Sequence, residues 1–123
     1  GLTLADAVEV CCETEGIERV RLGSLEPEMM SDNQLERMAA QEKFCPQFHL
    51  SLQSGCTRTL KAMNRKYTAE EYSELVDRIR NKFPQCAITT DVMVGFPDET
   101  DEDFAESVKF VEKIRFSKVH VFR

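Results

Sequence analysis

Segments that read as β-strands alternate along this chain with segments that read as helices, and this alternation limits the fold more than any other feature. Apolar residues recur with the two-residue period of a strand, or in β-branched runs, over 17–22, 48–53, 87–94 and 117–122. Strands that are separated by helices join through parallel crossovers of one handedness. The chain is therefore predicted to be α/β, with either an open doubly wound sheet or an arc of a barrel.

Helix-capping residues stand at the beginning of the longer segments between the predicted strands. Each of them can accept a hydrogen bond from a backbone N–H of the first helical turn: Thr3, Ser31, Thr68 and Thr100. The segment after Thr68 is the clearest helix, because apolar residues recur at helical spacing from Tyr72 to Phe83, before Pro84. A shorter helix is predicted over 57–63.

Length, charge and cysteine content limit the protein class. A complete (β/α)8 barrel needs roughly 250 residues, so four strands can form only part of one, and open sheet edges favour pairing between copies. The chain begins at Gly1 without an initiator Met or a signal peptide, which indicates a cut.

The net charge of -6 disfavours nucleic-acid binding by this chain alone. Five cysteines without a CxxC pair indicate a reduced, cytoplasmic protein, and no apolar run predicts a membrane span.

One face of each predicted strand carries polar side chains, although parallel strands are normally covered on both faces and apolar throughout. Alternation places His49 on the face opposite Phe48, and it places Thr89 and Asp91 together on one face of the third strand. We expect this polar face to line a lumen whose ligand site lies at the carboxyl ends of the strands. The residues expected around that opening are Ser24, Gln53, Ser54, Asp91 and Gly95.

The candidate residues have structural as well as functional interpretations. A carboxylate in a covered strand needs a partner, so Asp91 either binds a ligand or pairs with an arginine. His49 and His120 have no third ligand at a recognisable spacing, so we interpret them as lumen or core residues and predict no metal site. Arg65 either binds a phosphate or carboxylate or lies solvated on the surface. Cys56 is either a reactive thiol or, as is more frequent, a small buried side chain.

Three stretches of the chain resemble motifs of one enzyme family. They read RLGSLEP over 21–27, HLSLQSGC over 49–56 with MNRKYT over 63–68, and TDVMVGFP over 90–97. In their order and spacing they resemble the third, fourth and fifth strand regions of the radical-SAM methylthiotransferases. The resemblance implies a parallel β/α arc from a partial (β/α)6 TIM-like barrel, with 1–123 as the central to C-terminal part of that domain.

The resemblance also implies a reaction, the addition of a methylthio group to C2 of an adenine next to the tRNA anticodon. The motifs over 23–27 and 53–56 most resemble the branch that acts on N6-threonylcarbamoyladenosine. The alternative within the family is a sibling that modifies isopentenyladenosine in tRNA or an aspartate of a ribosomal protein. The alternative from a different class is a non-catalytic interaction module with a barrel-like sheet.

The family resemblance implies cofactors and partners for the intact parent protein. S-adenosylmethionine serves as radical source and methyl donor beside two [4Fe-4S] clusters, and the partners are tRNA and an electron donor. One cluster is held by a CxxxCxxC early in the barrel and the other by an amino-terminal domain. None of the cysteines here matches that motif, so no metal-ligand role is assigned to them. The resemblance assigns no catalytic side chain.

The resemblance places the non-iron contacts of S-adenosylmethionine near the strand ends. Asp91 is expected near the ribose and Arg65 at the methionyl carboxylate, where a bidentate guanidinium contact suits a planar acid. The backbone of 94–96 is expected to pass against the adenine. Asp98 departs from the family pattern, in which glycine is usual, so we expect a less mobile loop there. The expected cofactor contacts are Ser24, Gln53, Ser54, Arg65, Asp91, Val94, Gly95, Phe96 and Phe122.

The isolated chain is predicted to be catalytically inert, because the cysteines that would hold the clusters are absent from it. Reconstitution of 1–123 with iron, sulfide, a reductant and S-adenosylmethionine should yield no 5′-deoxyadenosine above a protein-free control. Release of 5′-deoxyadenosine by this chain alone would contradict the prediction.

Overall fold

The computed structural model describes residues 3–27 and 31–123, so the predicted cut at Gly1 lies outside the described residues. Within these ranges the four strands form a single sheet in the order β1-β2-β3-β4, and every pair is parallel. The predicted α/β fold is confirmed, and the sheet is consistent with part of a TIM-like barrel. The elements in chain order are α1 (Leu4–Glu13), β1 (Ser24–Leu25), α2 (Asp32–Ala39), β2 (Gln47–Leu50), α3 (Thr57–Ala62), α4 (Ala69–Lys82), β3 (Ala87–Met93), α5 (Asp101–Ile114) and β4 (Lys118–Phe122).

The capping signals of the sequence are confirmed at α1, α4 and α5. At each helix the N-cap threonine hydroxyl accepts from the backbone N–H three residues later, and the carboxylate at that position accepts from the N-cap N–H. Ser31 caps α2 with half of this arrangement, since its Oγ accepts from Gln34 N at 3.3 Å. The caps fix where each helix begins and therefore which apolar residues face the sheet.

The first strand is where the sequence prediction was wrong. Residues 17–22 form only a single bridge, between Val20 and Phe44, and the ladder with β2 begins at Ser24. Pro46 lies between these two points of contact, and its missing N–H interrupts the ladder. Since this segment lies at the edge of the described sheet, it has no second neighbouring strand to hold it extended.

The apolar faces of β2 and β3 form one core cluster with the helices. Phe48, Leu50 and Ile88 are buried there, and α4 contributes Tyr72 and Ile79. The Tyr72 hydroxyl donates to the Leu50 carbonyl oxygen at 2.8 Å, which satisfies the one polar group that this aromatic side chain brings into the core. The core therefore lies on one face of the sheet and leaves the other face for the polar residues.

The turn between β2 and α3 packs closely against α5. Gly55 N donates to Ser107 Oγ at 2.9 Å. A Cβ atom built at Gly55 would lie 2.6 Å from Phe110 Cβ and 2.9 Å from the Ser107 carbonyl oxygen. Glycine therefore allows an approach that places the start of α3 directly beyond the strand ends.

Gly55→Ala is expected to destabilise the protein by about 1–3 kcal/mol, because α5 must shift away from the added methyl group. Gly23→Ala is the matched control, since a Cβ at Gly23 meets nothing within 4 Å. Gly23→Ala should change the free energy of unfolding by less than about 0.5 kcal/mol. Urea denaturation gives the free energy of unfolding of both variants, and equal values would contradict the close packing at Gly55.

Candidate functional site

Backbone hydrogen bonds hold the carboxyl ends of β2, β3 and β4 side by side. Gln53 N donates to the Asp91 carbonyl oxygen at 2.9 Å, and Met93 N donates to the Gln53 carbonyl oxygen at 2.8 Å. Val94 N donates to the Phe122 carbonyl oxygen at 2.9 Å. The structure thus brings the predicted residues Gln53, Asp91, Val94 and Phe122 together at one edge of the sheet, which we call the rim.

The backbone of the rim adopts left-handed conformations at three positions. Gln53 has φ 70°, which is uncommon for a residue with a long side chain and is typical of functional or tightly constrained sites. Gly95 has φ 73°, and its N–H donates to Glu99 Oε1 at 3.0 Å. Asp98 has φ 68°, a conformation that glycine adopts without steric cost.

Asp91 lies in a hydrogen-bonded group on the polar face of the sheet. His49 Nε2 lies 3.0 Å from Asp91 Oδ2, and His49 Nδ1 lies 2.7 Å from Thr89 Oγ1. All three side chains are half-buried on the face opposite the core. Asp91 therefore pairs with a histidine and not with the arginine that was its structural alternative.

The second histidine lies beside this group. The ring centroids of His49 and His120 are 6.1 Å apart, and His120 is the residue of β4 that pairs with Asp91 in the sheet register. In the part of the chain that the structure describes, no three or more His, Cys, Asp or Glu side chains are grouped to hold a metal ion. Both histidines lie on the polar face of the sheet, with Asp91.

Arg65 lies in the loop between α3 and α4, which is anchored close to the rim. The Tyr67 hydroxyl fixes this loop by donating to the carbonyl oxygens of Ser51 and Leu52, at 2.9 and 2.8 Å. Arg65 Nε is buried and has no hydrogen-bond partner among residues 3–27 and 31–123. Because a buried N–H without an acceptor costs stability, this orphaned donor fits an anionic ligand such as a carboxylate.

The remaining predicted residues have different surroundings. Ser24 is exposed and pairs with His49 in the register of β1 and β2. Phe96 is half-buried, and its carbonyl oxygen accepts from Glu99 N at 2.9 Å. Ser54 differs from the expectation that it lies around the opening. Its side chain is fully buried, and Oγ accepts from Cys56 N at 3.1 Å, so it stabilises the turn before α3.

Sequence reasoning missed an ion pair that joins α3 to the first turn of α5. Arg58 and Asp103 form a salt bridge in which Nε lies 3.1 Å from Oδ1, and Arg58 Nη2 also donates to the Asp98 carbonyl oxygen at 3.3 Å. The Arg58 guanidinium and the Thr100 N–H hold the pKa of the Asp103 carboxyl well below its usual range. The partners are 45 residues apart, so no local pattern indicates them.

The Cys56 thiol lies beneath this ion pair. Its Sγ is 3.5 Å from Asp103 Oδ1, and the side chain is buried. Burial raises the pKa of the Cys56 thiol, which disfavours the reactive thiolate. The interpretation of Cys56 as a small buried side chain is therefore the one that its surroundings support.

A cavity of about 430 Å³ opens on the polar face of the sheet. This volume falls within the range of small-molecule sites, which is roughly 300–1,000 Å³. The cavity is lined by residues that include Arg21, Gly23, Ser24, Gln47, His49 and Thr89. The lumen face therefore has space for a ligand next to the His49 group.

A parallel β/α sheet with polar residues at its carboxyl rim is typical of α/β proteins of the TIM-like class, in which that edge is the usual ligand site. The family is identified by comparison with known proteins, in which the profile of the Radical SAM superfamily matches residues 3–111. The chain belongs to the radical SAM superfamily.

The chain is also similar to curated proteins that share the name tRNA-2-methylthio-N(6)-dimethylallyladenosine synthase. The relative from Mycobacteroides abscessus is 43% identical over 97% of this chain, that from Thermoanaerobacter sp. 43% over 98%, and that from Thermobifida fusca 45% over 94%. The chain spans only 24%, 26% and 24% of these proteins.

Among the described helices, none has the length and apolar character that crossing a bilayer requires.

Asp103→Asn is expected to destabilise the protein at neutral pH through loss of the pairing with Arg58. The folded pKa of Asp103 is below the unfolded value of about 3.9, so its ionised form contributes stability above that value and the contribution is lost as the pH falls toward the folded pKa. The difference in unfolding temperature between Asp103→Asn and the unchanged protein should be largest near neutral pH and shrink below about pH 4.

The control for this prediction is Asp101→Asn, in the same helical turn. Asp101 is exposed and forms no ion pair within the described ranges. The unfolding temperature of Asp101→Asn should therefore differ little from that of the unchanged protein. If the unfolding temperature of Asp103→Asn stays below that of the unchanged protein by the same amount from neutral to acidic pH, the result would contradict the role of the Asp103 charge.

Proposed function

We propose that this chain is the barrel segment of a radical-SAM methylthiotransferase that modifies an adenine in tRNA. The observation that carries the proposal is the identity of 43–45%, over nearly the whole chain, to proteins whose name describes that product. The matched region includes the three motifs over 21–27, 49–68 and 90–97. The rim at the strand ends gives the reaction a location in this chain.

We propose N6-(dimethylallyl)adenosine, also called isopentenyladenosine, as the substrate and C2 of its adenine as the site of methylthiolation. The names of the relatives support this substrate, which the sequence analysis gave as the alternative, and do not support threonylcarbamoyladenosine. The resemblance to the threonylcarbamoyladenosine branch rests in part on Cys56 after Gly55. Since both residues are buried under α5, they report on packing and are poor indicators of a substrate.

The rim residues support S-adenosylmethionine as the cofactor. Arg65 would bind the methionyl carboxylate through its unpaired Nε, Asp91 would accept from the ribose hydroxyls, and the backbone of 94–96 would lie against the adenine. Gln53 and Phe122 would border the same site, whereas the buried Ser54 hydroxyl would not reach it. Held next to a reduced [4Fe-4S] cluster, this cofactor would supply the radical chemistry that removes hydrogen from unreactive C–H bonds.

We propose that 1–123 is the central to C-terminal part of the barrel domain in a longer cytoplasmic enzyme. The chain spans about a quarter of its relatives, which leaves room elsewhere for the ligands of two [4Fe-4S] clusters, the docking of an electron donor and tRNA-binding surfaces. The net charge of -6 agrees with a tRNA contact that depends on other parts of the protein. Separated from them, the chain would associate through the edge at β4, where Val121 and Phe122 are exposed.

Mass spectrometry of tRNA nucleosides from a strain that lacks the full-length gene tests the proposed reaction. We expect loss of 2-methylthio-N6-(dimethylallyl)adenosine and accumulation of the nucleoside without the methylthio group. An unchanged product with loss of another methylthio nucleoside would overturn the substrate and retain the chemistry. Unchanged levels of every methylthio nucleoside would overturn the proposed function.

Complementation of that strain tests the cofactor site. Arg65→Ala should lower the methylthio product at least tenfold, since losing a hydrogen bond to a charged group costs about 1.5–3 kcal/mol. Lys66→Ala is the matched control, because Lys66 is an exposed cation next in the chain and should leave the product unchanged. Equal product levels in the two variants would contradict the role of Arg65.

A further inference from the structure

We infer that His49 is a positioning residue: it holds one oxygen of the Asp91 carboxylate so that the other accepts hydrogen bonds from the ribose hydroxyls of an adenosyl ligand. The inference rests on the proposed function, because it concerns the same site. It adds a residue outside the set of expected cofactor contacts and names the part of the ligand that the residue controls.

The hydrogen-bond group determines where the protons lie. An ionised carboxylate only accepts hydrogen bonds, so His49 Nε2, 3.0 Å from Asp91 Oδ2, carries the hydrogen of that contact. In the neutral ring Nδ1 is then the acceptor, and the Thr89 hydroxyl at 2.7 Å donates to it. The Asp91 carboxylate therefore selects the tautomer with its hydrogen on Nε2, and the Thr89 hydroxyl satisfies Nδ1 and helps to orient the ring. The protonated ring presents the same N–H, so the contact is kept in both charge states.

The sheet fixes the three side chains relative to one another. His49 and Thr89 are direct partners in the register of β2 and β3, and Asp91 follows on the same face of β3. The side chains of His49 and Asp91 are 21% and 30% exposed, so the carboxylate still reaches the lumen. Asp91 Oδ1 has no hydrogen-bond partner in the described part of the chain. His49 thus holds Asp91 Oδ2, and Asp91 Oδ1 is available to accept hydrogen bonds from a ligand.

The chemistry of the available oxygen selects a class of ligand. A carboxylate repels phosphates and other anions, whereas a pair of neutral hydroxyls can donate to it. Acidic side chains at the ends of parallel strands bind ribose hydroxyls in this way in nucleotide-binding α/β folds. His120 has only the ring contact with His49 and no hydrogen bond to Asp91 within the described ranges, so we do not include it in the positioning group.

Isothermal titration of the full-length protein tests the inference with two unreactive probes, S-adenosylhomocysteine and its 2′,3′-dideoxy analogue. His49→Ala should weaken S-adenosylhomocysteine about tenfold, since the contact to be lost involves a charged group. The same variant should bind the dideoxy analogue within about twofold of the unchanged protein, because that ligand has no hydroxyl for Asp91 to accept from. A structural role of His49 would weaken both probes equally.

Three further variants sharpen the test. His49→Gln keeps an N–H donor at a similar reach and should recover S-adenosylhomocysteine binding to within about threefold. Thr89→Val removes the hydroxyl that donates to His49 Nδ1 without a large change in volume, and should weaken S-adenosylhomocysteine about threefold. This variant keeps the inference testable if circular dichroism shows that His49→Ala does not fold. His120→Ala is the matched histidine control and should change binding of either probe less than about twofold.

The outcomes separate the inference from the proposed function. If the unchanged protein binds neither probe, the proposed function fails and the inference fails with it. If the unchanged protein binds S-adenosylhomocysteine but folded His49→Ala and Thr89→Val bind both probes unchanged, or lose both equally, the inference alone is overturned. Selective loss of the probe with hydroxyls, together with recovery in His49→Gln, supports the inference.

Discussion

The two-residue alternation of β2 and β3 is the constraint on which both the core and the site depend. One set of side chains, including Phe48, Leu50 and Ile88, enters the core, and this requires the intervening His49 and Thr89 to face the lumen. A register slip of one residue would exchange the two sets and bury the polar group in place of the apolar one. The burial energy of the core therefore also fixes the polar face of the candidate site.

Thr90 connects the buried face of β3 to the residues just before the rim. It is a fully buried polar residue of β3, and its Oγ1 accepts from Leu52 N at 3.0 Å while contacting the Leu50 carbonyl oxygen. The Leu52 N–H therefore finds its acceptor in a side chain, and buried polar groups need such partners. The chain then rejoins the ladder at Gln53, which has a left-handed backbone, forms a parallel bridge with Val92 and donates its N–H to the Asp91 carbonyl oxygen.

Local chemistry explains which features could be predicted from the sequence. Threonine caps at α1, α4 and α5 and the alternation at Phe48 and His49 act within a few residues, so the pattern alone indicates them. The contacts that pair Arg58 with Asp103, and His49 with Asp91, join residues more than 40 positions apart, and only the assembled sheet shows them.

Burial, which no local pattern shows, decides the surroundings of two of the predicted site residues. Ser54 stands in a polar, turn-like stretch, yet its side chain is fully buried and its hydroxyl accepts from the local backbone at Cys56 N. Arg65 shows the opposite case. Its position in an apparently solvated basic cluster hides a buried Nε without an acceptor, which is the feature most easily explained by an anionic ligand.

A crystal structure of the full-length protein with S-adenosylmethionine would show whether the cofactor binds at the rim, through the distance between the Arg65 guanidinium and the methionyl carboxylate. We expect a contact of about 2.7–2.9 Å, as in other charge-assisted hydrogen bonds, with the ribose at Asp91 and the adenine beside 94–96. A bound cofactor that lies away from the strand ends, with Arg65 Nε still unpaired, would contradict this expectation.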